Sequence, residues 1–509
     1  MKTYLSGPAR AAVLLFGSAL FALSAAASGP TFHVNSGADA PDGNAGDGKC
    51  ETAPSNGICT LRAAIMEANK TTEATIVIPA LQITLTLGPR QPNGPEESGD
   101  LDIKTSMSIV GAGSGQSIVS ANGVDEVFSV SGDGTIVSIS GLTIRDGVPR
   151  GLLLNSGTLT VDRCAFVHNG PFGSEEGGGI EVTGGSLTVT NSEFTDCHAS
   201  TGGAIWTDNG IHITNSTFTT NSANAAGGGA VNLAAGTGTI IGSTFSGNSA
   251  VSDGGAIWTG VPLDVLSSTF SGNSAGGSGG GIHDAGSAPV RLYNVTITGN
   301  QADADFNGTG AGGGVADGGV PGVSFVNSII AGNFESFYLL SQYIQADGDC
   351  AGFLTSGGFN ILGFHGAGCA VTGLFTQADP KLGPLQSNGG HGMTRALLSG
   401  SPAIDAGNPS GCADPLGALL PMDQRGALRL VGGRCDIGAY ERGPCGDANG
   451  DGTVDVADVF FVINYLFSGG TAPAGLANVN GDGTVDVSDV FHMINTLFSG
   501  GPAADCSGA

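Results

Sequence analysis

Positive charge is what this chain has least of. Seventeen Lys and Arg stand against 44 Asp and Glu, a formal net charge of −27 over 509 residues. That balance excludes nucleic acid and anionic membrane as partners, and it is compatible with calcium and with neutral or cationic surfaces. Charge of either sign is scarce, 12% of residues, and Val, Ile, Leu and Phe are too frequent for a disordered chain. Ten cysteines include no Cys-x-x-Cys pair, which argues against a structural zinc site. No helical stripe of ten residues occurs between 158 and 333, which excludes a helical repeat there. Beyond the first 27 residues no apolar run reaches spanning length, so the mature chain is expected to have no membrane span.

The start reads as an export signal. Lys2 and Arg10 precede an apolar run from Ala11 to about Leu23, and Ala25-Ala26-Ala27 offers a small-x-small cleavage site. A secreted, extracellular protein is expected, with attachment to a cell surface as an extension of that reading. Cysteines in such a compartment read as disulfides. Proximity suggests Cys50–Cys59, Cys350–Cys369, Cys412–Cys435 and Cys445–Cys506, leaving Cys164 and Cys197; connectivity does not follow from sequence.

What the chain does have is repetition. Between 158 and 333 one phrase occurs seven times, with its large apolar residue at Phe166, Phe194, Phe218, Phe245, Phe270, Ile297 and Ile330. Three residues later stand Asn169, Cys197, Asn221, Asn248, Asn273, Asn300 and Asn333. A Gly-Gly-x-Ile-like phrase runs between the copies. A period of ~25 residues implies stacked supersecondary units, and the short alternating apolar signals are strands. Strands stacked at ~4.8 Å would pile the Phe/Ile set into an internal column and the Asn set into an amide ladder. This resembles a right-handed parallel β-helix of the pectin-lyase-like type.

The expected domains are a signal peptide (1–27), an N-terminal cap (28–75), a parallel β-helix (76–345), C-terminal coils and cap (346–442) and a terminal domain (443–509). In the cap, CTLRAAIMEAN (59–69) has helical apolar spacing and is similar to the CSLREA-type motif that precedes β-helices in secreted bacterial proteins. Asp39, Asp42, Asn44 and Asp47 before it either bind a cation or form a solvated acidic loop. Residues 334–442 are expected to close the far end. LGPLQSNGG, ALLSGSPAIDAG, DQRG and CDIGAYE resemble the choice-of-anchor Q family, which implies a β-helix cap before a surface-attachment module and no established activity.

The terminal 65 residues carry the most specific chemistry. Asp447, Asn449, Asp451, Thr453, Asp455 and Asp458 occupy positions one, three, five, seven, nine and twelve of an EF-hand loop, with Asp at the twelfth. Asn478, Asn480, Asp482, Thr484, Asp486 and Asp489 repeat it. Calcium requires six to eight hard oxygens, which alternate side chains and the position-seven carbonyl converge to supply. Each loop leads into an apolar-striped helix ending in Gly. The segment has eight Asp and no Lys, Arg or Glu, so metal binding is expected to be coupled to folding. The pair resembles a type I dockerin, which implies two calcium ions and a cohesin-like partner. The positions matching that family's recognition pair are Val456-Ala457 and Val487-Ser488. The expected fold class is therefore an all-β parallel β-helix with an N-terminal cap, plus a small α-helical dockerin domain with two EF-hand-like loops.

A catalytic site is hard to find. Of the residue sets typical of β-helix polysaccharide hydrolases, only Gly390-His391-Gly392 occurs. Arg163 and Arg291 are the only Lys or Arg between 158 and 333 and lie coils apart. Asp208, Asp264, Asp284 and Asp317 share no evident register, although Asp284 and Asp317 fall on neighbouring coils. The outward residue after each Gly-rich phrase is Glu181, Trp206, Asn232, Trp258, His283 or Ala316. Both tryptophans of the chain lie in that register, two coils apart; they shield the sheet face or, with His283, offer a surface for stacking on a glycan. Three functions follow: an extracellular β-helix that binds or presents to polysaccharide and docks through its tail; a polysaccharide lyase or glycoside hydrolase delivered by that tail; or an adhesin or surface-layer protein.

Overall fold

The structure, a computed structural model, describes residues 29–88, 98–170, 175–286, 288–319, 322–339, 342–364, 368–429, 433–450, 452–470, 473, 476–504 and 506. The proposed signal segment and Asp451 lie outside the described residues.

Each coil contributes short strands to parallel sheets. The coil beginning at Ile180 runs through Ile180–Val182, Ser186–Thr190, Glu193–Thr195 and His198–Ala199. Each of these pairs in parallel with its counterpart in the next coil. The repeat length is thus the circumference of one turn of a parallel β-helix. Register is strict because one face of each strand is buried and a one-residue slip would turn the apolar set outward.

Two internal columns hold the coils in line. Phe166, Phe194, Phe218, Phe245 and Phe270 are fully buried and stack with ring centroids 4.6–4.9 Å apart and planes within 5°. Ile297 and Ile330 extend the column in register. The face-to-face stack is not the arrangement ring quadrupoles prefer; strand spacing imposes it.

Beside it runs the amide ladder. Asn248 Nδ2 donates to Phe218 O (2.9 Å) and to Asn273 Oδ1 (2.8 Å), while Asn248 N donates to the same Oδ1 (3.0 Å). The pattern repeats from Asn221 to Asn333. Cys197 interrupts the ladder below Asn221, its backbone N–H still donating to Asn221 Oδ1. At the corners Asn191, Asn215 and Asn294 hold positive φ, and Gly242 takes the equivalent place (φ 62°); Asn and Gly are the residues that tolerate this conformation.

At the start of the rod Thr31–His33 pairs with Ala74–Ile78, and helix α1 (Leu61–Ala68) packs on the first coils with Leu61, Ala64, Ile65 and Ala68 buried. Thr60 caps it, and Arg62 forms a buried ion pair with Asp39 at 2.6 Å.

The far end departs from expectation. Strands Cys350–Ser356 and Cys369–Thr372 add coils. Residues 382–442, expected to close the end, instead turn back along the flank. A hairpin (Leu382–Gln386 with Thr394–Leu397) begins the return. Thr244 Oγ1 donates to Met393 O (2.8 Å), Thr269 Oγ1 to Gln424 Oε1 (2.5 Å), and Ala439 N to Thr296 Oγ1 (3.0 Å). Thr244, Thr269 and Thr296 form one outward column, buried under the returning chain. Disulfides join Cys50–Cys59, Cys350–Cys369, Cys412–Cys435 and Cys445–Cys506. Cys164 and Cys197 are free and buried, and burial pushes both thiols up to about 12, which makes them inert.

The amide ladder ends in a carboxylate. Asp349 Oδ1 accepts from Asn333 N and Nδ2, both at 2.8 Å, and the residue is 1% exposed. Burial raises its carboxyl to about 7 from 3.8. A raised carboxyl pKa means the folded state holds a proton that the unfolded state releases. The stabilisation is complete below pH 3.8 and is lost as pH rises to about 7. Asp349→Asn is therefore expected to stabilise the coil at neutral pH by on the order of 2 kcal/mol and to flatten that pH dependence. Denaturant melts between pH 4 and 7.5 check it; equal midpoints for both proteins at neutral pH would contradict it.

Candidate functional site

The two terminal loops are near-copies in structure. Helix α2 (Val456–Ser468) follows the first and helix α3 (Val487–Ser499) the second. Asp455 and Asp486 are N-caps, each in a capping box with the Asp three residues on, and Gly469 and Gly500 end the helices with φ 68° and 63°. The twelfth-position carboxylates close each loop on itself. Asp458 Oδ1 accepts from Ala448 N (2.9 Å) and Asn449 N (3.0 Å), and Asp489 Oδ1 from Val479 N (2.8 Å) and Asn480 N (3.2 Å). Both carboxylates are fully buried. In the first loop Asp447 accepts from Gly450 N and Gly452 N. In the second, Asp482 Oδ1 accepts from Thr484 N and Oγ1 at 2.9 Å.

One side chain tests whether these loops fit a cation. Asn478, the first residue of the second loop, is 4% exposed, and neither Oδ1 nor Nδ2 has a partner. A buried, unbonded amide costs about 1–3 kcal/mol, and a cation at the loop centre supplies what its oxygen lacks. Among the described residues no group of three or more His, Cys, Asp or Glu closes into a metal cluster. The donor set expected from the sequence includes Asn side chains and the carbonyls of Thr453 and Thr484, so carboxylates, imidazoles and thiols alone do not define it.

Val456 (47% exposed) and Val487 (48%), with exposed Ala457 and Ser488, lie at the starts of α2 and α3. Sequence reading missed how far this apolar surface extends. Phe460, Phe467, Phe491 and Phe498 are each 64–68% exposed. The signal was present, since 456, 460 and 467 share one helical face, as do 487, 491 and 498. These rings form two matching apolar stripes that the module's own core leaves uncovered.

On the rod, Glu181, Trp206, Asn232, Trp258, His283 and Ala316 form one column of register partners. Both indoles are half-buried. Asn232 between them is committed, donating to Thr201 Oγ1 (2.9 Å) and Gly227 O (3.1 Å). Gly227 lies against the Trp258 ring, where a Cβ would collide. Burial lowers the His283 pKa, with Asp253 and Asp317 opposing, and its Nδ1 is buried without a partner. Glu181 pairs with Arg150 at 2.5 Å, and Arg150 also meets Glu126 (3.0 Å) and Glu175 (3.5 Å). Sequence reading missed this group because its members come from three separate coils.

The carboxylates considered for catalysis are placed otherwise than expected. Asp284 and Asp317 do share a register, but they are 0% and 8% exposed. Each closes a turn, Asp284 Oδ1 accepting from Gly286 N (2.9 Å) and Asp317 Oδ1 from Gly319 N (3.0 Å). Burial raises Asp284 to about 6. Asp264 is held bidentately by Arg291 (2.6 and 2.9 Å), and Arg163 pairs with Asp162. Gly390-His391-Gly392 is a turn of the returning chain, its glycines packed against Arg425 O and Thr244. In the N-terminal cap, Asp39 is spent on Arg62, Thr86 N and Leu87 N, and Asp42 on Asn44 N and Glu51 N.

Comparison with known proteins agrees with the coil and the tail. Residues 126–229 match the family described as right handed beta helix region, and residues 242–260 and 267–284 match the Chlamydia polymorphic membrane protein repeat. This is a right-handed parallel β-helix protein. Residues 445–498 match the dockerin type I domain, so the rod ends in a dockerin, a domain type that binds calcium. Solved structures similar to the chain include the pectate lyase Pel9A (16% identity, 81% of this chain and 96% of that one, TM-score 0.44). Rhamnogalacturonan lyase (10%, 73% and 96%, 0.33) and the A-module of the Azotobacter vinelandii mannuronan C-5 epimerase AlgE6 (15%, 60% and 91%, 0.29) are also similar. No curated protein matches the chain. Among the described residues no helix is long and apolar enough to cross a membrane.

Proposed function

We propose that this is a secreted β-helix protein that presents the wall of its rod to extracellular polysaccharide and docks, through two calcium-loaded loops, to a cohesin-like partner. The observation that carries the docking half is the duplication itself: two capped helices, each behind an acidic loop, each offering Val and Phe to solvent. A partner that buries those rings explains their exposure. The polysaccharide half rests on Trp206 and Trp258, the chain's only tryptophans, in one outward column. The lyase or hydrolase reading finds less support, because Asp264, Asp284 and Asp317 are committed to an ion pair or to turns.

Retention in affinity gels cast with neutral plant glycans tests the wall. Two stacking platforms at ~0.5–1.5 kcal/mol each predict a roughly tenfold loss of affinity in Trp206→Ala/Trp258→Ala, with no release of reducing ends by the parent protein. Unchanged retention of the double variant would remove the wall from the proposal, and turnover would restore the enzyme reading. For the tail, immobilised cohesin should capture the chain in calcium and release it in chelator.

A further inference from the structure

One set of coil-to-coil contacts on the rod has the form of a proton relay. Ser222 Oγ lies 2.6 Å from His198 Nδ1, His198 Nε2 lies 3.0 Å from Asp196 Oδ1, and Asp196 Oδ2 lies 2.8 Å from His168 Nε2. An ionised carboxylate only accepts, so Asp196 holds both imidazoles with hydrogen on Nε2. In neutral His198 that leaves Nδ1 as the acceptor of the Ser222 O–H. A hydroxyl aimed at a base, with the base oriented by a carboxylate, is the arrangement that activates a serine nucleophile. The coils do not need these residues to stack. His198, Ser222, Ser249 and Ser274 are successive register partners, so serine fills in later coils the place His198 takes in an earlier one. Asp196 and His168 hold positive φ (55° and 58°) at the corner that Gly247, Gly272, Gly299 and Gly332 occupy further along. Glycine meets that conformation without strain, and other residues held in it cluster at functional sites.

The relay opens on a groove. Ser222, itself half-buried, lines an open space of about 430 Å³ together with Ser249, Ser274, Ala250, Gly276 and Asp305. His198 sits one coil below the serine and Ser249 one coil above it, each ~4.8 Å away along the stack. Among the described residues the Ser249 hydroxyl makes no hydrogen bond. It is placed to donate to the oxygen of a carbonyl that Ser222 attacks. The base and the oxyanion donor thus flank the nucleophile on opposite sides. Alanine and glycine walls suit a short acyl group. Asp305, beside Gly276, adds a negative charge that favours an uncharged ester over an anionic one.

We propose that Ser222 and His198, positioned by Asp196 and His168, form a serine esterase site that removes short acyl groups from uncharged alcohols, sugar hydroxyls included. Ser222 Oγ bonds to the carbonyl carbon while its proton passes to His198 Nδ1. The ester C–O bond breaks, and the alcohol leaves with that proton. Water then adds to the acyl-serine, giving a proton to Nδ1; the Oγ–C bond breaks and Oγ takes the proton back. The sum is ester plus water to acid plus alcohol, and nothing is oxidised or reduced. No glycosidic bond is cut and no reducing end appears, so this activity is separate from the lyase and glycoside hydrolase readings. A sugar-borne acyl group as substrate rests on the polysaccharide reading above; the ester chemistry does not.

Two substrates offered to the full chain test it: p-nitrophenyl acetate, and an O-acetylated xylan from which acetate is measured. Both are expected to turn over above buffer. Ser222→Ala and His198→Ala should each lower kcat at least ~100-fold with the melting temperature unchanged, since both side chains lie at the surface of the stack. Asp196→Asn should lower kcat and leave KM, because an amide no longer fixes the His198 tautomer. His168→Ala should do the same to a smaller extent, and His168→Gln, which again donates to Asp196, should restore the rate. Diisopropyl fluorophosphate is expected to label Ser222, located by mass spectrometry of the peptide, and His198→Ala should abolish the label. No turnover of the small ester, or turnover and labelling that survive Ser222→Ala, overturns the site. Turnover of the small ester alone overturns the sugar-borne substrate and keeps the site. Glycan retention lost in the tryptophan variant with ester turnover intact confirms that site and wall are independent.

Discussion

Asn273→Leu is expected to cost the β-helix more than 4 kcal/mol, roughly what the deletion of a core phenylalanine costs. Leucine shares the branching of asparagine at Cγ but is bulkier, and Asn273 is fully buried, so overpacking adds to the lost hydrogen bonds. Asn273 Oδ1 accepts Asn248 N at 3.0 Å and Asn248 Nδ2 at 2.8 Å, and its own Nδ2 donates to Phe245 O at 3.0 Å. Leucine removes these bonds and the Asn273 Nδ2 bond to Asn300 Oδ1 (2.8 Å), while leaving the groups that used them inside the protein. Each orphaned donor or acceptor costs ~1–3 kcal/mol. Asn248 Nδ2 keeps Phe218 O and Asn300 Oδ1 keeps Asn273 N, so these lose least; Asn248 N loses its acceptor outright. Because coils contact mainly their neighbours, the loss should also be local. Hydrogen exchange is expected to accelerate in residues 245–275 before it does so near residue 150. A stability change under ~1 kcal/mol, or uniform exchange along the rod, would show that the ladder is incidental to the stack.

How much of this was legible in the sequence depends on whether the information is periodic. Phe166 to Ile330 could be aligned by eye because strand spacing forces every coil to place the same residue at the same point, and the structure stacks them. The Asn ladder and the outward Trp column were readable for the same reason. What failed was aperiodic. The stretch 382–442 has no repeat, and nothing local shows that Gln424 reaches Thr244 and Thr269, 180 and 155 residues away. Arg150 meets Glu126, Glu175 and Glu181 only after the coils have wound. The Asp284–Asp317 pairing was hidden by the insertion at 303–310, which lengthens that coil without shifting its register. Those two carboxylates are neighbours, yet the Gly286 and Gly319 backbone amides they bond show them closing turns. In the tail, spacing revealed the loops, while the use of Asp455 and Asp486 as helix caps required coordinates.

The second large effect is expected on removing calcium. In the full chain, chelator should raise hydrogen exchange in α2 and α3 by about 10³-fold and leave residues 158–333 unchanged. The magnitude follows from linkage: an ion held at a thousand times its dissociation constant contributes ~4 kcal/mol. The direction follows from charge and from what the helices lack. Eight Asp with no Lys, Arg or Glu occupy residues 445–509, so the folded module concentrates repulsion that the unfolded segment spreads out. The apolar core that must oppose it is small, centred on Val459, Val462, Val479, Val490 and Met493. Asp458 and Asp489 are wholly buried, and buried carboxylates stay ionised only when paired or bound to metal. Their backbone amide bonds supply part of that; the remainder is what the ion provides. The Cys445–Cys506 disulfide closes 61 residues and should hold the ends of the melted module together, making refolding on calcium return fast and complete. Asp489→Ala should reproduce the chelator result in α3 while calcium is still present, since it deletes both the carboxylate at the twelfth loop position and the acceptor for Val479 N, Asn480 N and Asp486 N. Asn478→Ala separates the two roles. Its side chain bonds nothing in the protein, so a purely structural loop would tolerate the change, whereas a calcium loop should lose affinity at that site about tenfold or more, as loss of one hard-oxygen ligand demands. Exchange rates in α2 and α3 that are indifferent to chelator and to Asn478→Ala alike would leave the dockerin standing on its hydrophobic core alone.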